Sequence, residues 1–206
     1  FHEALGNALL REHWPALLAR HAARGVDARS RVLVPLCGKT HDLTWLRQLG
    51  HDVVGVEFVE TAAVAFFAER GVAPRRFERA GAVCYEHDGV SIWVADFFAV
   101  TPEHVGTFDL IYDRAALVAL APEQRQGYID RLVALSNPGA ALFLISFEHD
   151  FDGGPPFSTD GVEGWMAPAF ALERRFSHDV IEAEPRFKER GASYMIEIAW
   201  FGARPL

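Results

Sequence analysis

The sequence predicts an α/β sandwich built on a sheet of about seven strands, mostly parallel with an antiparallel C-terminal hairpin. Short, wholly apolar runs such as 32–36 are typical of strands that are buried on both faces. They alternate with segments of helical periodicity, and the short connections imply parallel strands joined by right-handed crossovers. Runs 170–181 and 193–201 both resemble strands, which indicates a terminal antiparallel pair.

The first half of the chain supplies most of the parallel unit. Residues 3–22 carry apolar side chains at helical spacing, so we expect an amphipathic first helix that Gly25 closes, with Pro15 as its point of interruption. The elements expected next are strand 32–36, helix 41–49, strand 52–57 and helix 61–70, with Gly50 and Gly71 ending the two helices.

The second half combines a hairpin with further crossovers. Runs 83–86 and 90–94 flank His87-Asp88-Gly89, which is a favourable hairpin turn, and this predicts an antiparallel excursion into the third core strand. The elements expected after it are strand 108–112, helix 122–135 with Pro122 in its first turn, and strand 141–147.

Composition indicates one globular domain over residues 1–206. We expect its N-terminal helical segment, residues 1–25, to form a lid together with the Gly-Pro loop Gly153-Gly154-Pro155-Pro156, the alternative being that this loop is a plain surface loop. The net charge of −8 and the presence of only two lysines, Lys39 and Lys188, disfavour nucleic acid as a partner. The longest apolar runs fall far short of the roughly 20 residues that span a bilayer. We therefore expect a cytoplasmic protein, a monomer, whose partner is neither nucleic acid nor a membrane.

Cysteine and histidine spacing argues against a metal site or a disulfide. Cys37 and Cys84 lie too far apart for a Cys-x-x-Cys centre. The nine histidines are dispersed and form no His-x-x-x-His pair. We expect no metal ligand in this chain.

Gly38-Lys39-Thr40 matches the end of a nucleotide-binding phosphate loop. The complete loop needs a glycine five positions before the Gly-Lys pair, because its backbone N–H groups must curl around two phosphates. Leu33 occupies that position, within an apolar strand. The segment is therefore interpreted as a strand-to-helix turn and not as a phosphate cradle.

Acidic side chains end successive predicted strands at Glu57, Asp96 and Asp113. Glu57 lies 19 residues after Gly38, the interval at which dinucleotide-binding folds place a carboxylate that binds ribose hydroxyls. The alternative is that Glu57 only caps the following helix. Ligands of such sheets bind outside the carboxyl ends of the strands, so these acids mark the candidate site.

The first turn carries one glycine, whereas a pyrophosphate requires two or three. A nucleoside without phosphates fits better, and S-adenosylmethionine is such a molecule. Asp96 could accept from its adenine amino group, and Phe97 or Phe98 could cover the base. The alternative is that one or both of these rings belong to the core.

Several segments together resemble the thiopurine S-methyltransferases, especially the bacterial members of that family. The resemblance runs from residue 1 to about 157 and implies a class I, Rossmann-like methyltransferase that moves a methyl group from S-adenosylmethionine to sulfur of thiopurines or other heterocyclic thiols. It rests on residues 1–3 (FHE), 32–39 (VLVPLCGK), 50–57 (GHDVVGVE), 96–98 (DFF), 112–116 (YDRAA) and 154–157 (GPPF).

The resemblance also implies roles for individual residues. Arg114 is expected beside both cofactor and acceptor, with Asp113 as its catalytic companion. Phe1 lies in the segment that folds over the site in this family and is expected to contact the acceptor. Independently of the resemblance, Phe157 is expected to contact the acceptor as part of an aromatic wall for a flat heterocycle. Leu36 and Glu57, with Arg114, correspond to cofactor-contacting positions of the family. The arguments from the strand ends and the adenine add Cys37, Gly38, Asp96 and Phe97 to the expected cofactor contacts.

Several alternatives stay open from the sequence alone. Asp113 could orient Arg114 or take a proton through water, or the two could form a structural ion pair. Cys37 is interpreted as a packing thiol and not a nucleophile. The acceptor could instead be a selenium or tellurium species, or the chain could be a nucleoside-binding module without catalysis. Ala4-Leu5-Gly6 and Ala95 depart from the family pattern, and the first departure affects expected acceptor contacts most.

Overall fold

The computed structural model of this protein describes residues 6–25, 27 and 29–206. In this part of the chain, nine strands form one sheet. The strands are β1 (Val32–Pro35), β2 (Val53–Glu57), β3 (Arg75–Arg79), β4 (Ala82–His87), β5 (Val90–Val94), β6 (Phe108–Arg114), β7 (Ser136–His149), β8 (Ala171–Asp179) and β9 (Met195–Ala203). The helices are α1 (Ala8–His21), α2 (Asp42–Gln48), α3 (Glu60–Ala68), α4 (Pro102–Val105), α5 (Arg125–Leu135), α6 (Val162–Met166) and α7 (Pro185–Glu189).

The sheet confirms the predicted α/β class, with a parallel centre and antiparallel strands at its C-terminal side. Its strand order is β3-β4-β5-β2-β1-β6-β7-β9-β8, and the pairs from β5 through β7 are parallel. The expected number of about seven strands was too low. The sequence of β3, Arg-Arg-Phe-Glu-Arg, was missed because a run of charges is more typical of a solvated segment than of an edge strand.

The direction of the chain across the sheet reverses at β1. The chain leaves β1 through β2 toward β5, and it returns on the other side of β1 at β6. Both neighbours of β1 run parallel to it, so their carboxyl ends share one edge of the sheet. A crevice at such a reversal is where α/β sheets bind their ligands.

Helices cover both faces of the sheet and bury two separate apolar layers. On one face α1, α2 and α3 contribute Leu10, Trp14, Leu43 and Phe66, among others. On the other face α5 and α6 bury a second layer that includes Tyr128, Ile129, Leu132, Val162 and Met166. The carboxyl edge of the sheet lies between these two layers.

Helix α1 differs from its prediction in two ways. It begins at Ala8, where the side chain of Asn7 accepts from the Leu10 N–H, and not at Glu3, which lies outside the described residues. It also continues through Pro15, so the expected interruption is wrong. Trp14 and Leu17 are fully buried in the α1 layer, and this burial outweighs the single backbone hydrogen bond that proline removes.

A buried histidine fixes α1 to the sheet. The Trp14 Nε1–H donates to His51 Nε2 at 3.1 Å, and His51 Nδ1 lies 3.0 Å from the Ser30 carbonyl oxygen. Burial lowers the pKa of His51, so the ring is neutral, with its proton on Nδ1. The first helix is thereby part of the core.

Candidate active site

A cavity of about 680 Å³ opens at the carboxyl edge of the sheet, where β1 and β6 end. It lies between the β1–α2 turn, the first part of α3 and the end of β6. Its lining is mainly apolar. The lining residues are Val34, Leu36, Cys37, Gly38, Lys39, Thr40, Asp42, Thr61, Ala62, Ala65, Tyr112, Arg114 and Ala115.

The β1–α2 turn forms one wall of this cavity with an unusual backbone. Leu36 has φ 47° and Gly38 has φ 53°, so a leucine occupies the left-handed region that favours glycine. Such a conformation costs about 1–3 kcal/mol and is typical of functional sites. The Cys37 N–H donates to the Val56 carbonyl oxygen at 3.0 Å, which holds the turn against β2.

Glu57 at the end of β2 closes the turn from the side. Its Oε2 accepts from the Gly38 N–H at 2.8 Å, and its Oε1 accepts from the Val59 N–H at 2.8 Å. A carboxylate offers about four lone-pair directions, so two acceptor positions remain beyond these bonds. Glu57 thus binds a backbone N–H at the start of α3, as the capping alternative predicts. Ribose binding by its remaining acceptor positions stays a prediction.

Cys37 packs against a glycine of the neighbouring strand. A Cβ at Gly55 would lie 2.5 Å from Cys37 Sγ, so only glycine leaves room for this side chain. Burial, followed by the charge of Glu57, raises the pKa of the Cys37 thiol well above its ordinary value. A protonated thiol is a poor nucleophile, which supports the interpretation of Cys37 as a packing residue.

Lys39 lies at the cavity wall and forms an ion pair with Glu69. The Gly38 N–H points to Glu57, and Leu33 is fully buried within β1. The Gly38 N–H is therefore occupied by a carboxylate. In a phosphate-binding loop, this N–H would be free to donate to a phosphate oxygen.

The last residues of β6 divide between the two faces of the sheet. Side chains of a strand alternate, so Tyr112 and Arg114 face the cavity while Asp113 faces the opposite layer. The Tyr112 hydroxyl donates to Asp42 Oδ2 at 3.0 Å, and Asp42 Oδ1 accepts from the Asn7 N–H at 2.7 Å. The sequence analysis includes Tyr112 in the motif 112–116 without giving it a role, and it missed Asp42, which it treated as an ordinary helix residue.

Asp113 has contacts that do not match its expected companionship with Arg114. It is 1% exposed, accepts from the Tyr128 hydroxyl at 2.7 Å and accepts from the Leu117 N–H at 3.2 Å. Burial raises its pKa to about 6, although these hydrogen bonds act in the other direction. The side chain pins the turn after β6 to α5 and lies away from the cavity.

The predicted adenine contacts are also separated from this cavity. Phe97 is 4% exposed, and its ring centroid lies 5.1 Å from that of Tyr128, so the core alternative is correct for this ring. Asp96 is exposed, and its Oδ1 accepts from the Phe98 N–H at 3.0 Å. Phe58 was not considered, yet it follows Glu57 directly and its side chain is 74% exposed.

A second cavity, of about 280 Å³, adjoins the first and shares Ala115 with it. Of this region the sequence analysis named Ala115, within the motif 112–116, and the Gly-Pro loop, residues 153–156, but not Arg186, Phe187 or Arg190. Arg186 and Arg190 lie four residues apart in the sequence, and this spacing predicts that they share one side of a helix. The lining residues are Ala115, Val118, Ala119, Pro155, Pro156, Arg186, Phe187 and Arg190.

The Gly-Pro loop beside the second cavity is anchored at several points. His149 Nε2 lies 2.8 Å from the Pro156 carbonyl oxygen, and the Phe157 N–H donates to the Val118 carbonyl oxygen at 2.6 Å. Arg190 donates to the Gly153 carbonyl oxygen at 2.9 Å. Phe157 is half-buried, whereas Phe1 lies outside the described residues.

Two further findings apply to the part of the chain that the structure describes. Its helices include none that combines the length and the apolar character of a membrane span. Its His, Cys, Asp and Glu side chains form no group of three or more suited to a metal ion, and both cysteines are free thiols.

Comparison with known proteins identifies the relatives of this chain. The family model described as thiopurine S-methyltransferase (TPMT) matches residues 1–203. The thiopurine S-methyltransferase of Pseudomonas syringae pv. tomato is 35% identical over 210 residues, which cover 100% of this chain and 92% of the relative. That of Nitrosospira multiformis is 37% identical over 201 residues, which cover 96% and 88%.

Solved structures of class I methyltransferases share the fold. One is the 1,6-didemethyltoxoflavin-N1-methyltransferase of Burkholderia thailandensis, solved with 1,6-didemethyltoxoflavin and S-adenosylhomocysteine. It is 18% identical, with a TM-score of 0.61 over 93% of this chain and 77% of that one. A methyltransferase from Methanosarcina mazei that uses S-adenosylmethionine is 13% identical, with a TM-score of 0.60 over 90% and 97%.

Proposed function

Because the chain belongs to the thiopurine S-methyltransferase family, and is a methyltransferase that uses S-adenosylmethionine, we propose that its acceptor is the sulfur of a thiopurine or another aromatic or heterocyclic thiol. The observation that carries this proposal is the pair of adjoining cavities that share Ala115. The larger has the size that a nucleoside cofactor needs and a mainly apolar lining with a few polar side chains. The smaller, with Arg186 and Arg190 in its wall, suits a flat anion.

The proposed cofactor contacts lie in the wall of the larger cavity or at the neighbouring strand end. Arg114 is the proposed partner of the cofactor carboxylate, because a guanidinium binds a carboxylate with two parallel hydrogen bonds. Glu57 has acceptor positions left for ribose hydroxyls, and Leu36, Cys37 and Gly38 let the backbone approach closely. Phe58, which follows Glu57 and is exposed, is the proposed cover for the adenine. The predicted acceptor for the adenine amino group, Asp96, lies outside the lining of this cavity, and its role stays a prediction.

The smaller cavity is the proposed acceptor site. Arg186 lies 2.9 Å from Glu184, and the Arg190 guanidinium lies 4.0 Å from the centre of the Phe151 ring. These arginines stabilise a thiolate over a neutral thiol, since a nearby positive charge favours the ionised form. Phe1, Phe157 and Arg114 stay proposed acceptor contacts.

Bound S-adenosylmethionine supplies an electrophilic methyl group whose leaving group is a neutral thioether, so the protein need not protonate it. The chain's own contribution is to hold the acceptor sulfur in line with that methyl group, which can contribute about 7 kcal/mol or more. Many heteroaromatic thiols are ionised near neutral pH. A general base is then unnecessary, and this agrees with the buried position of Asp113, away from the cavity.

A second candidate acceptor is a selenium or tellurium anion. The two arginines of the smaller cavity favour it for the same electrostatic reason as a thiolate. The alternative of a nucleoside-binding module without catalysis is ruled out by membership of a methyltransferase family.

A methyl-transfer assay over thiopurines, thiophenols, selenolates and selenite, read by mass spectrometry of the methylated product, tests this proposal. We expect heterocyclic thiols to give the highest kcat/KM. Arg186→Gln and Arg190→Gln should raise the KM for the thiol and leave cofactor affinity unchanged. The matched control is Arg175→Gln, since Arg175 pairs with Glu173 on the distant edge strand β8. Turnover of selenite but of no thiol would overturn the proposed acceptor.

A further inference from the structure

Asp42 is a buried carboxylate that touches two separate parts of the protein at the cavity wall. It is 1% exposed and lines the larger cavity. One oxygen accepts from the Tyr112 hydroxyl at 3.0 Å, and the other accepts from the Asn7 N–H at 2.7 Å. Tyr112 precedes Arg114 by two residues on β6, so the carboxylate is joined to the strand that carries the proposed cofactor arginine.

The contact with Asn7 continues into the first helix. The Asn7 side chain caps α1 by accepting from the Leu10 N–H at 2.9 Å, while its backbone N–H is held by Asp42. A continuous series of hydrogen bonds therefore runs from Tyr112 through Asp42 and Asn7 to the start of α1. The chain enters α1 from the wall of the cavity.

Gly6 shows that this entry is tightly constrained. Its φ is 78°, and a Cβ at this position would lie 2.6 Å from Asp42 Oδ1. Gly6 and Asn7 are both buried. Only glycine can adopt this backbone conformation so close to the carboxylate.

A carboxylate is a costly choice for a purely structural contact here, because burying a charge is unfavourable unless it is fully compensated. An asparagine could accept from the Asn7 N–H and donate to Tyr112. In contrast, S-adenosylmethionine, the proposed ligand of this cavity, carries a positive sulfonium and a positive ammonium group, and a negative charge in the wall stabilises both.

We propose that Asp42 is a positioning residue that couples occupation of the cofactor cavity to the anchoring of Gly6 and Asn7 at the start of α1. The inference rests on the proposed use of this cavity by the cofactor. Coupling between two sites is reciprocal. Binding of the cofactor therefore strengthens the hydrogen bond to the Asn7 N–H, and loss of this hydrogen bond lowers the affinity for the cofactor by the same factor.

The test measures both directions with S-adenosylhomocysteine as the probe. In the wild-type protein, hydrogen exchange of the Asn7 and Leu10 amides, followed by NMR, should slow when the probe binds. Calorimetry should show that Asp42→Asn and Tyr112→Phe each lower the affinity for S-adenosylhomocysteine about fivefold or more. A roughly fivefold change is the lower end of the usual coupling between two sites. The variants should raise the KM for S-adenosylmethionine and keep kcat within about twofold at saturation, as expected when uniform binding is lost.

Tyr128→Phe is the matched control, because it removes another buried tyrosine hydroxyl that donates to an aspartate, at 2.7 Å, on the other face of the sheet. It should lower stability without changing the affinity for the probe. If Tyr112→Phe and Asp42→Asn behave in the same way as this control, the coupling role is wrong although the cofactor site stands. Failure of the wild-type protein to bind the probe at all would overturn the proposed cavity function together with this inference.

Discussion

Two buried tyrosine–aspartate pairs lie on opposite faces of the sheet and differ in what surrounds them. Tyr112 and Asp42 border the open cavity, whereas Tyr128 and Asp113 lie in a closed core. Both carboxylates are 1% exposed, and each accepts from a tyrosine hydroxyl and a backbone N–H. The same local chemistry therefore contributes to a ligand site or to a turn, depending on which face of β6 it meets.

Replacement of Arg114 by alanine has the largest expected effect and separates the two faces. Arg114 and Asp113 are neighbours in sequence, but only Arg114 lines the cavity. We expect Arg114→Ala to lower kcat/KM by about 100-fold, equivalent to about 3 kcal/mol, because a charge-assisted contact is lost. Steady-state kinetics with a thiopurine measures it, and Tyr128→Phe serves as the comparison on the core face. Wild-type kcat/KM in Arg114→Ala would contradict the assignment.

Gly55→Ala tests the packing of the cavity face. The added Cβ would lie 2.5 Å from Cys37 Sγ, so either the turn or β2 must shift. Such overpacking costs about 1–3 kcal/mol, measured as the free energy of unfolding in urea. Cys37→Ala in the same protein should recover part of that loss, since the clash is mainly with Sγ. Additive losses in the double variant would show that the two residues do not constrain each other.

The pair of Asp113 and Tyr128 on the core face should make the free energy of unfolding depend on pH. The pKa of Asp113 is raised to about 6 from an ordinary 3.8, so this group's contribution to stability is fully present below about 3.8 and is lost as pH rises through about 6. Asp113→Asn has no such titration. Denaturant unfolding between pH 4 and pH 7 should therefore show the stability of the variant improving relative to the wild type as pH rises. A constant difference across this range would mean that Asp113 has an ordinary pKa.

Phe58→Ala has the smallest expected effect and tests the exposed ring that directly follows β2. The ring is 74% exposed, so its removal should leave the thermal midpoint unchanged. Loss of an aromatic cover for adenine should raise the KM for S-adenosylmethionine about threefold, in line with the usual contribution of such a ring. Phe58→Tyr, which keeps the aromatic face, is the control. An equal KM in all three proteins would remove Phe58 from the site.

The strand–helix alternation was predictable because buried parallel strands such as Val53–Glu57 are short apolar runs, and glycines end the helices between them. The strand missed by prediction, Arg75–Arg79, pairs with Ala82–His87 through backbone bonds that its charged side chains do not reveal. Pro15 was overestimated as a helix breaker because the burial of Trp14 cannot be read from local sequence.

Prediction of the site was best where backbone turns lie at strand ends. Leu36, Cys37, Gly38 and Arg114 do line one cavity, as the strand order requires. Phe97 and Asp113 were assigned to the wrong face of the sheet. Successive side chains of a strand point to opposite faces, so an error of one residue along a strand or turn is enough to move a side chain from the cavity to the core. Asp42, in the larger cavity, and Arg186 and Arg190, in the smaller one, were missed because each meets its cavity through residues distant in sequence.

Ala115 lies between the two cavities in a left-handed conformation, with φ 64°. Glycine adopts this conformation without strain, whereas any larger residue adds atoms where both cavities meet. The position is therefore a natural starting point for laboratory evolution of acceptor size, since substitutions there alter the shared wall and leave Glu57 and Arg114 intact. A change in the range of methyl acceptors among homologues could begin with this one methyl group.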